Sequence, residues 1–198
     1  MRQTCRLLAA SVAVLLCASA AQAQIYKAPL AGANENPPVS SVGTGFATVT
    51  VNTAAHTLRV VTSFSGLNSN TTASHIHCCA VAPATAGVAT ATPSFAGFPL
   101  GVTSGSMDQT YNMTLPATWN AAFITANGGT PAGAEAALVA GLAAGQAYQN
   151  IHTTSSPGGE IRGFLLVEVP TLPGWMLALF ALLLAAAAYV ALRKRVMA

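Results

Sequence analysis

The stretch Thr44-Gly-Phe-Ala-Thr-Val-Thr-Val51 alternates as a β-strand with one buried face requires, since Val49 and Val51 fall on one side and threonines on the other. The run Leu58-Arg-Val-Val-Thr-Ser-Phe64 is rich in β-branched residues, which strands favour. The intervening residues Asn52 to His56 have the length of a hairpin loop. The two stretches therefore predict an antiparallel pair of strands.

Similar patterns recur towards the C-terminus. Thr130-Pro131 has the character of an N-cap and a first helical residue, which predicts a short helix over Ala134 to Ala144. Further strands are predicted at Ala73–Cys78, Met107–Leu115, Ala147–His152 and Glu160–Val169. About seven strands with one short helical insertion predict an all-β fold, an antiparallel sandwich or barrel.

The first 23 residues have the three parts of a secretory signal peptide. Arg2 and Arg6 supply the positive start, and Leu7 to Cys17 is an uncharged apolar run. That run is shorter than the ~20 residues that span a bilayer. Ala21-Gln22-Ala23 is a small-x-small cleavage site, so we expect cleavage between Ala23 and Gln24 and export of the following domain.

The C-terminal end predicts a membrane anchor. Trp175 to Leu192 is a run of 18 residues without a charged side chain. As a helix it would be ~27 Å long, close to the hydrocarbon thickness of a bilayer. Arg193-Lys194-Arg195 follow at once, and basic residues beside a membrane span stay on the cytoplasmic side. We therefore expect one transmembrane helix over residues 175–192, with the preceding domain outside the cytoplasm.

Residues 24–169 remain between the two ends, and this length suits one domain with its own core. The whole chain has a net charge of +3, but this segment carries three basic and five acidic side chains, a net charge of −2. It has no basic patch, which argues against a nucleic-acid partner. The low charge and the abundance of Ala, Thr, Gly, Ser and Asn indicate a secreted β-protein rather than a cytosolic enzyme.

Three histidines in predicted strands indicate a candidate metal site. His75 and His77 are two residues apart, so both side chains leave the same face of a strand, opposite Ile76. His152 alternates in the same way in a later strand, and we expect the three imidazoles in one cluster. They form a ligand set for zinc or copper, with Glu160 as a fourth ligand or as the partner of a ligand. Alternatively, these histidines bond backbone carbonyls or Glu160 and fix the loops.

The other polar motifs indicate no catalytic residues. Glu160 and Arg162 share a face of the predicted strand, so we expect a partly buried ion pair or hydrogen bonds to neighbouring loops. Cys78 and Cys79 follow His77, and an exported location permits disulfides. They can bond to each other, pair with a second chain or stay reduced. The chain has no Gly-x-Ser-x-Gly motif, no phosphate loop and no close pair of acids.

The C-terminal motif Val169-Pro170-Thr171-Leu172, followed by Pro173-Gly174-Trp175, precedes the apolar run and Arg193-Lys194-Arg195. Residues 170–198 therefore resemble sorting signals of the IPTL-CTERM and PEP-CTERM type, in which a short Pro-containing motif precedes a transmembrane helix and a basic tail. The resemblance implies cleavage by a sorting protease of the exosortase type. Release or transfer to the cell surface would follow.

Seven short strings follow one another along residues 26 to 167: Leu30-Ala-Gly-Ala-Asn-Glu-Asn-Pro-Pro38, Gly43-Thr-Gly45, Phe64-Ser-Gly-Leu67, His75-Ile-His-Cys-Cys79, Gly101-Val-Thr-Ser-Gly105, Tyr148-Gln-Asn-Ile-His-Thr153 and Gly158-Gly-Glu-Ile-Arg-Gly163. Together they resemble the CHRD domain, first named in the chordin proteins and widespread in bacterial exported proteins. The resemblance implies an all-β, immunoglobulin-like or superoxide-dismutase-like fold and no established enzymatic activity.

Two functions are compatible with these patterns. The first is an exported, membrane-anchored CHRD module of the cell envelope or extracellular matrix, non-enzymatic, which binds a protein or polysaccharide. The second is a zinc- or copper-dependent redox or hydrolytic enzyme that uses His75, His77 and His152. The metal content of purified residues 24–169 distinguishes the two.

Overall fold

The structure is a computed structural model that describes residues 23–167 and 174–196. The predicted signal peptide up to residue 22 lies outside the described residues, as do Val169, Pro170, Thr171 and Leu172 of the predicted sorting motif. Gln24, the expected first residue of the exported protein, is the first residue of the first strand.

The described residues form one antiparallel sheet of eight strands: β1 (Gln24–Ala31), β2 (Thr44–Asn52), β3 (Thr57–Ser65), β4 (Thr71–Cys78), β5 (Gly105–Asn112), β6 (Ala147–Thr153), β7 (Ile161–Phe164) and β8 (Leu166–Val167). The strand order is β4-β6-β7-β1-β2-β3-β5, with β8 paired to β1. The predicted hairpin is confirmed, because β2 and β3 pair without interruption from Thr44 opposite Ser65 to Asn52 opposite Thr57.

The sheet curls into a half-barrel around its hydrophobic core. Gln149 of β6 donates a hydrogen bond of 2.7 Å to Thr62 of β3, although the two strands are four places apart in the sheet. Val49 and Val51, the apolar positions of the alternating stretch, are buried in this core. Among the described residues, every member of the core cluster lies between Tyr26 and Leu165, so this core belongs to the β domain. The curled antiparallel sheet confirms the predicted all-β class.

Two helices, α1 (Ala121–Ala126) and α2 (Pro131–Ala143), precede β6. The predicted helix is α2, which begins at Pro131, the residue that the sequence indicated as its first helical position, and ends at Ala143. Its N-cap is Thr130, whose hydroxyl accepts a hydrogen bond of 3.1 Å from the Gly133 amide. Leu138 and Leu142 of α2 are fully buried. The short helix α1 has no apolar periodicity long enough to have been recognised in the sequence.

Three predicted boundaries need correction. The strand expected to reach Leu115 ends at Asn112, because the Asn112 side chain accepts hydrogen bonds from the amide and hydroxyl of Thr114 and turns the chain. Leu115 is consequently exposed. The strand expected over residues 160–169 begins at Ile161 and is interrupted at Leu165, which separates β7 from β8. The first strand, β1, was not predicted, because Lys27 and Pro29 obscure its alternation.

The C-terminal helix α3 runs from Gly174 to Val196. The large apolar side chains between Trp175 and Leu184 are exposed. None of the helices in the described parts of the chain is sufficiently long and apolar to cross a membrane. The transmembrane helix expected over residues 175–192 is therefore without structural support and stays a prediction.

Candidate functional site

The three candidate ligand histidines lie on the face of the sheet opposite the core, where β4 pairs with β6. His75 is opposite Asn150, and His152 is opposite Ala73, so His152 is the diagonal neighbour of His75. The ring centroids of His75 and His152 are 5.2 Å apart. The His77 ring is 5.8 Å from each of them. The fold thus brings together the three imidazoles that strand alternation indicated.

One nitrogen of each imidazole is held by a backbone carbonyl oxygen. The contacts are His75 Nε2 to Pro93 O (2.7 Å), His77 Nδ1 to Ala86 O (2.9 Å) and His152 Nδ1 to Pro157 O (2.9 Å). A carbonyl oxygen can only accept, so each of these nitrogens carries the ring proton. In a neutral imidazole the other nitrogen then presents a lone pair, which assigns the lone pairs to His75 Nδ1, His77 Nε2 and His152 Nε2.

These lone pairs face a common space. One nitrogen from each ring lies within 4.8 Å of the other two. His75 Nδ1 and His152 Nε2 are 3.3 Å apart, and each needs a donor that the other cannot supply. His77 Nε2 is buried and has no hydrogen-bond partner in the described part of the chain. The three side chains thus form a group with the geometry to hold a metal ion.

Burial keeps the three rings neutral. It is the largest influence on all three, and it lowers the pKa of His75, of His152 and, to about 4, of His77. The hydrogen bonds to the carbonyl oxygens act in the opposite direction, because they favour a protonated ring. The net effect lowers the pKa of all three imidazoles, so the neutral form that binds metal ions persists below the usual histidine pKa.

Tyr148 of β6 supports His77, and its role was not recognised in the sequence. The two rings are stacked, with centroids 4.8 Å apart and planes inclined by 6°. The Tyr148 hydroxyl lies 3.1 Å from the Ala86 nitrogen and 3.3 Å from the Ala86 oxygen, which is the acceptor for His77. What identifies this role is the pairing of β4 with β6, in which Tyr148 is directly opposite His77. That register is visible only in the folded sheet.

The Glu160 carboxylate is not part of the histidine cluster, contrary to the expectation from the sequence. Its carboxylate accepts hydrogen bonds from the Ser41 hydroxyl (2.6 Å), the Asn68 amide (2.7 Å) and the Thr153 hydroxyl (2.6 Å). The contacts with Ser41 and Asn68 are the hydrogen bonds to neighbouring loops that the sequence predicted as one alternative. Among the described residues, Glu160 is not grouped with the three imidazoles and forms no ion pair with Arg162. The reason is that β7 begins at Ile161, so strand alternation does not govern the direction of the Glu160 side chain.

Arg162 is fully buried and binds to two loops instead. Its Nε donates to Asn34 O and its Nη2 to Pro83 O, both at 2.6 Å. Its guanidinium also lies 4.7 Å from the centroid of the Tyr148 ring, on which His77 is stacked. Arg162 thus contacts the histidine cluster through the Tyr148 ring, and its hydrogen bonds to neighbouring loops confirm one of the two expected roles.

Glu35 is the acid nearest to Arg162, with 3.7 Å between Glu35 Oε2 and Arg162 Nε. Burial raises the pKa of the Glu35 carboxyl to about 7, although the charge of Arg162 lowers it. Glu35 Oε1 is buried without a hydrogen-bond partner among the described residues. The sequence indicated only a rigid loop here, since Pro37 and Pro38 follow.

Cys78 and Cys79 are bonded to each other in the structure. Cys78 ends β4, and its side chain faces the core, on the opposite side of the strand from His77. Both sulfur atoms occupy the space that a side chain at Gly141 of α2 would need. The disulfide therefore packs against α2 and does not contribute thiolates to the histidine cluster.

A comparison with protein-family models matches residues 26–165 to the CHRD domain. Searches of curated proteins and of solved structures found no match. The matched residues include the three histidines, Tyr148 and Arg162. CHRD domains are typically extracellular, which agrees with the predicted export, and the match indicates a non-enzymatic extracellular or structural domain. The chain belongs to the CHRD domain family.

Proposed function

We propose that this protein is a non-enzymatic extracellular CHRD module whose histidine cluster binds one transition-metal ion, zinc or copper. The observation that carries the proposal is the pattern of hydrogen bonds in the cluster. Each of His75, His77 and His152 donates its N–H to a backbone carbonyl, so the remaining nitrogens present lone pairs to one another. Carbonyl oxygens that accept from the N–H of a metal-binding histidine fix its tautomer and orientation.

The distances suit a metal ion. Two nitrogens bound to tetrahedral zinc at ~2.05 Å are about 3.3 Å apart. His75 Nδ1 and His152 Nε2 are separated by 3.3 Å. Binding would then require only that His77 Nε2 approach, since one nitrogen from each ring already lies within 4.8 Å of the others. Imidazole nitrogens are good ligands for zinc and copper.

A purely structural role of the histidines accounts for only one of the two nitrogens in each ring. The carbonyl hydrogen bonds would fix the loops around Ala86, Pro93 and Pro157, as the alternative interpretation of the sequence held. They leave the second nitrogen of each ring unexplained. A buried acceptor without a partner is destabilising, and His77 Nε2 is such an acceptor. A bound cation satisfies all three nitrogens at once.

The geometry favours binding over catalysis. A metal-dependent hydrolase needs a group that transfers protons next to the ion. Glu160 could supply such a group, but its carboxylate is held by Ser41, Asn68 and Thr153. Glu35 lies beside Arg162. We therefore assign the metal a binding or structural role.

The proposal extends to the location of the module, and here the support comes from the sequence. The N-terminal signal pattern, the apolar run at 175–192 and the basic residues Arg193 to Arg195 favour export and anchoring. Recognition by an exosortase-type protease is what the resemblance of residues 170–198 to sorting signals implies. The exposed apolar side chains of α3 are compatible with an anchor. A protein or polysaccharide of the envelope or matrix would be the partner of the displayed domain.

Elemental analysis of purified residues 24–169 tests the metal proposal. We expect stoichiometric zinc or copper after dialysis against each ion, and loss of that metal in His77→Ala and His152→Ala. His56→Ala is the matched control, because His56 pairs with Glu135 on α2 and is remote from the cluster. A chelator should lower the thermal midpoint of the wild type but not that of His77→Ala. Equal metal content in the wild type and in His77→Ala would refute the proposal.

A further inference from the structure

A cleft of about 410 Å³ lies beside Glu35, at the side of the domain formed by β1, β7 and the turn Gly32–Asn34. Its polar lining comes from three consecutive side chains, Asn34, Glu35 and Asn36. Its apolar lining includes Pro29, Pro83 and Phe164. None of the three histidines lines this cleft, so it is a separate candidate site.

The cleft contains an acceptor that the protein leaves without a donor. Only 6% of Glu35 is exposed, and Oε1 of its carboxyl has no hydrogen-bond partner within the described residues. The other oxygen, Oε2, lies 3.7 Å from Arg162 Nε. Glu35 lines the cleft, but Oε1 itself is shielded from solvent, so a ligand there donates the missing hydrogen bond only if the carboxyl turns toward it.

The charges around the cleft favour a ligand that is neutral and donates hydrogen bonds. Arg162 is fully buried and held by two carbonyl oxygens, so its positive charge is fixed beside Glu35 and disfavours an ammonium ligand. The Glu35 carboxyl disfavours an anion. The remaining class is a neutral molecule with hydroxyl donors and an apolar face. The amides of Asn34 and Asn36 and the ring of Phe164 match these two requirements.

We propose that this cleft binds a saccharide, with a sugar hydroxyl donating to Glu35 Oε1 and the C–H face of the sugar ring against Phe164. The flanking side chains of Asn34 and Asn36 bond further hydroxyls. Binding does not require the metal, since the cleft and the histidine cluster share no lining residue.

Amide chemical shifts of ¹⁵N-labelled residues 24–169, which contain the complete core, provide the test. The probes are cellotriose, chitotriose and maltotriose, with N-acetyl-lysine-methylamide as the cationic comparison. We expect at least one trisaccharide to cause saturable shifts at Asn34, Asn36 and Phe164, with a Kd of about 1 mM or below. Saturable binding of the lysine derivative alone, or no saturable shift with any trisaccharide, would overturn the proposal.

Two variants locate the site. Asn36→Ala changes an exposed side chain and should weaken binding without disturbing the core. Glu35→Gln should weaken it about tenfold, because a neutral amide oxygen replaces the stronger carboxylate acceptor. Asp108→Asn is the matched control, since it removes an exposed acid that pairs with Arg59 on β3. Unchanged trisaccharide affinity in both cleft variants would refute the assignment of the site to this cleft. Unchanged trisaccharide affinity in His77→Ala would show that the cleft binds independently of the metal site.

Discussion

Replacing Glu35 with glutamine should remove a pH dependence from the stability of the β domain. Burial raises the pKa of Glu35 from its ordinary 4.5 to about 7 in the folded protein. Between these two pH values the folded protein keeps a proton that the unfolded chain has released. This proton therefore contributes to the free energy of unfolding. The contribution is fully present below pH 4.5 and is lost as the pH rises through 7. Glutamine cannot ionise, so the Glu35→Gln variant lacks this loss.

The size of the effect follows from the difference in pKa. A difference of about 2.5 in pKa, at ~1.4 kcal/mol per unit, corresponds to roughly 3 kcal/mol. We expect about 2 kcal/mol, because the cleft admits water to part of the carboxyl and solvent screening reduces the penalty. Relative to the wild type, Glu35→Gln should therefore gain about 2 kcal/mol between pH 4.5 and a pH above 7.

Urea unfolding of residues 24–169 in half-unit steps across this pH range measures the effect. A chelator keeps both proteins metal-free, and subtracting one curve from the other cancels the contribution of the histidines. Asp108→Asn is the control, since its partner Arg59 lowers the pKa of Asp108 by hydrogen bonding and any effect falls below its ordinary pKa of 3.8. Parallel curves for the wild type and Glu35→Gln from pH 4.5 to 7 would refute the reasoning.

Three further outcomes are expected. Tyr148→Phe removes the hydroxyl that holds Ala86, so metal affinity should fall by roughly tenfold in a competition assay with a chromophoric chelator, and an unchanged affinity would contradict the positioning role. Because burial lowers the pKa of His75, His77 and His152, metal binding should persist at pH 6.5 and fail only on further acidification; a midpoint above 6.5 in a pH titration would contradict this. Deleting residues 172–198 should move the exported protein from the membrane to the soluble fraction, and retention after a salt wash would contradict the anchor prediction.

The histidine cluster was partly predictable because alternation along a strand is a local property. Two residues that are two positions apart share a face whatever the rest of the fold does, so the pair His75 and His77 needed no tertiary information. For Glu160 and Arg162 the expected hydrogen bonds to neighbouring loops are confirmed, but the alternative ion pair between them is not found among the described residues, because the strand begins between them, at Ile161. Alternation applies only inside a strand, and strand ends are poorly defined by sequence.

The sequence by itself determined the all-β class, the β2–β3 hairpin, the helix α2 and the CHRD family, since these depend on hydrophobic periodicity, capping residues and short motifs. Only the tertiary structure decided the environment of each polar group. The Ala86, Pro93 and Pro157 carbonyls that orient the histidines come from loops, and Glu35 meets Arg162 across most of the chain. These contacts depend on the register of β4 with β6 and on the curl of the sheet. Both are set by burial of the whole core, a cooperative property that no single segment of the sequence expresses.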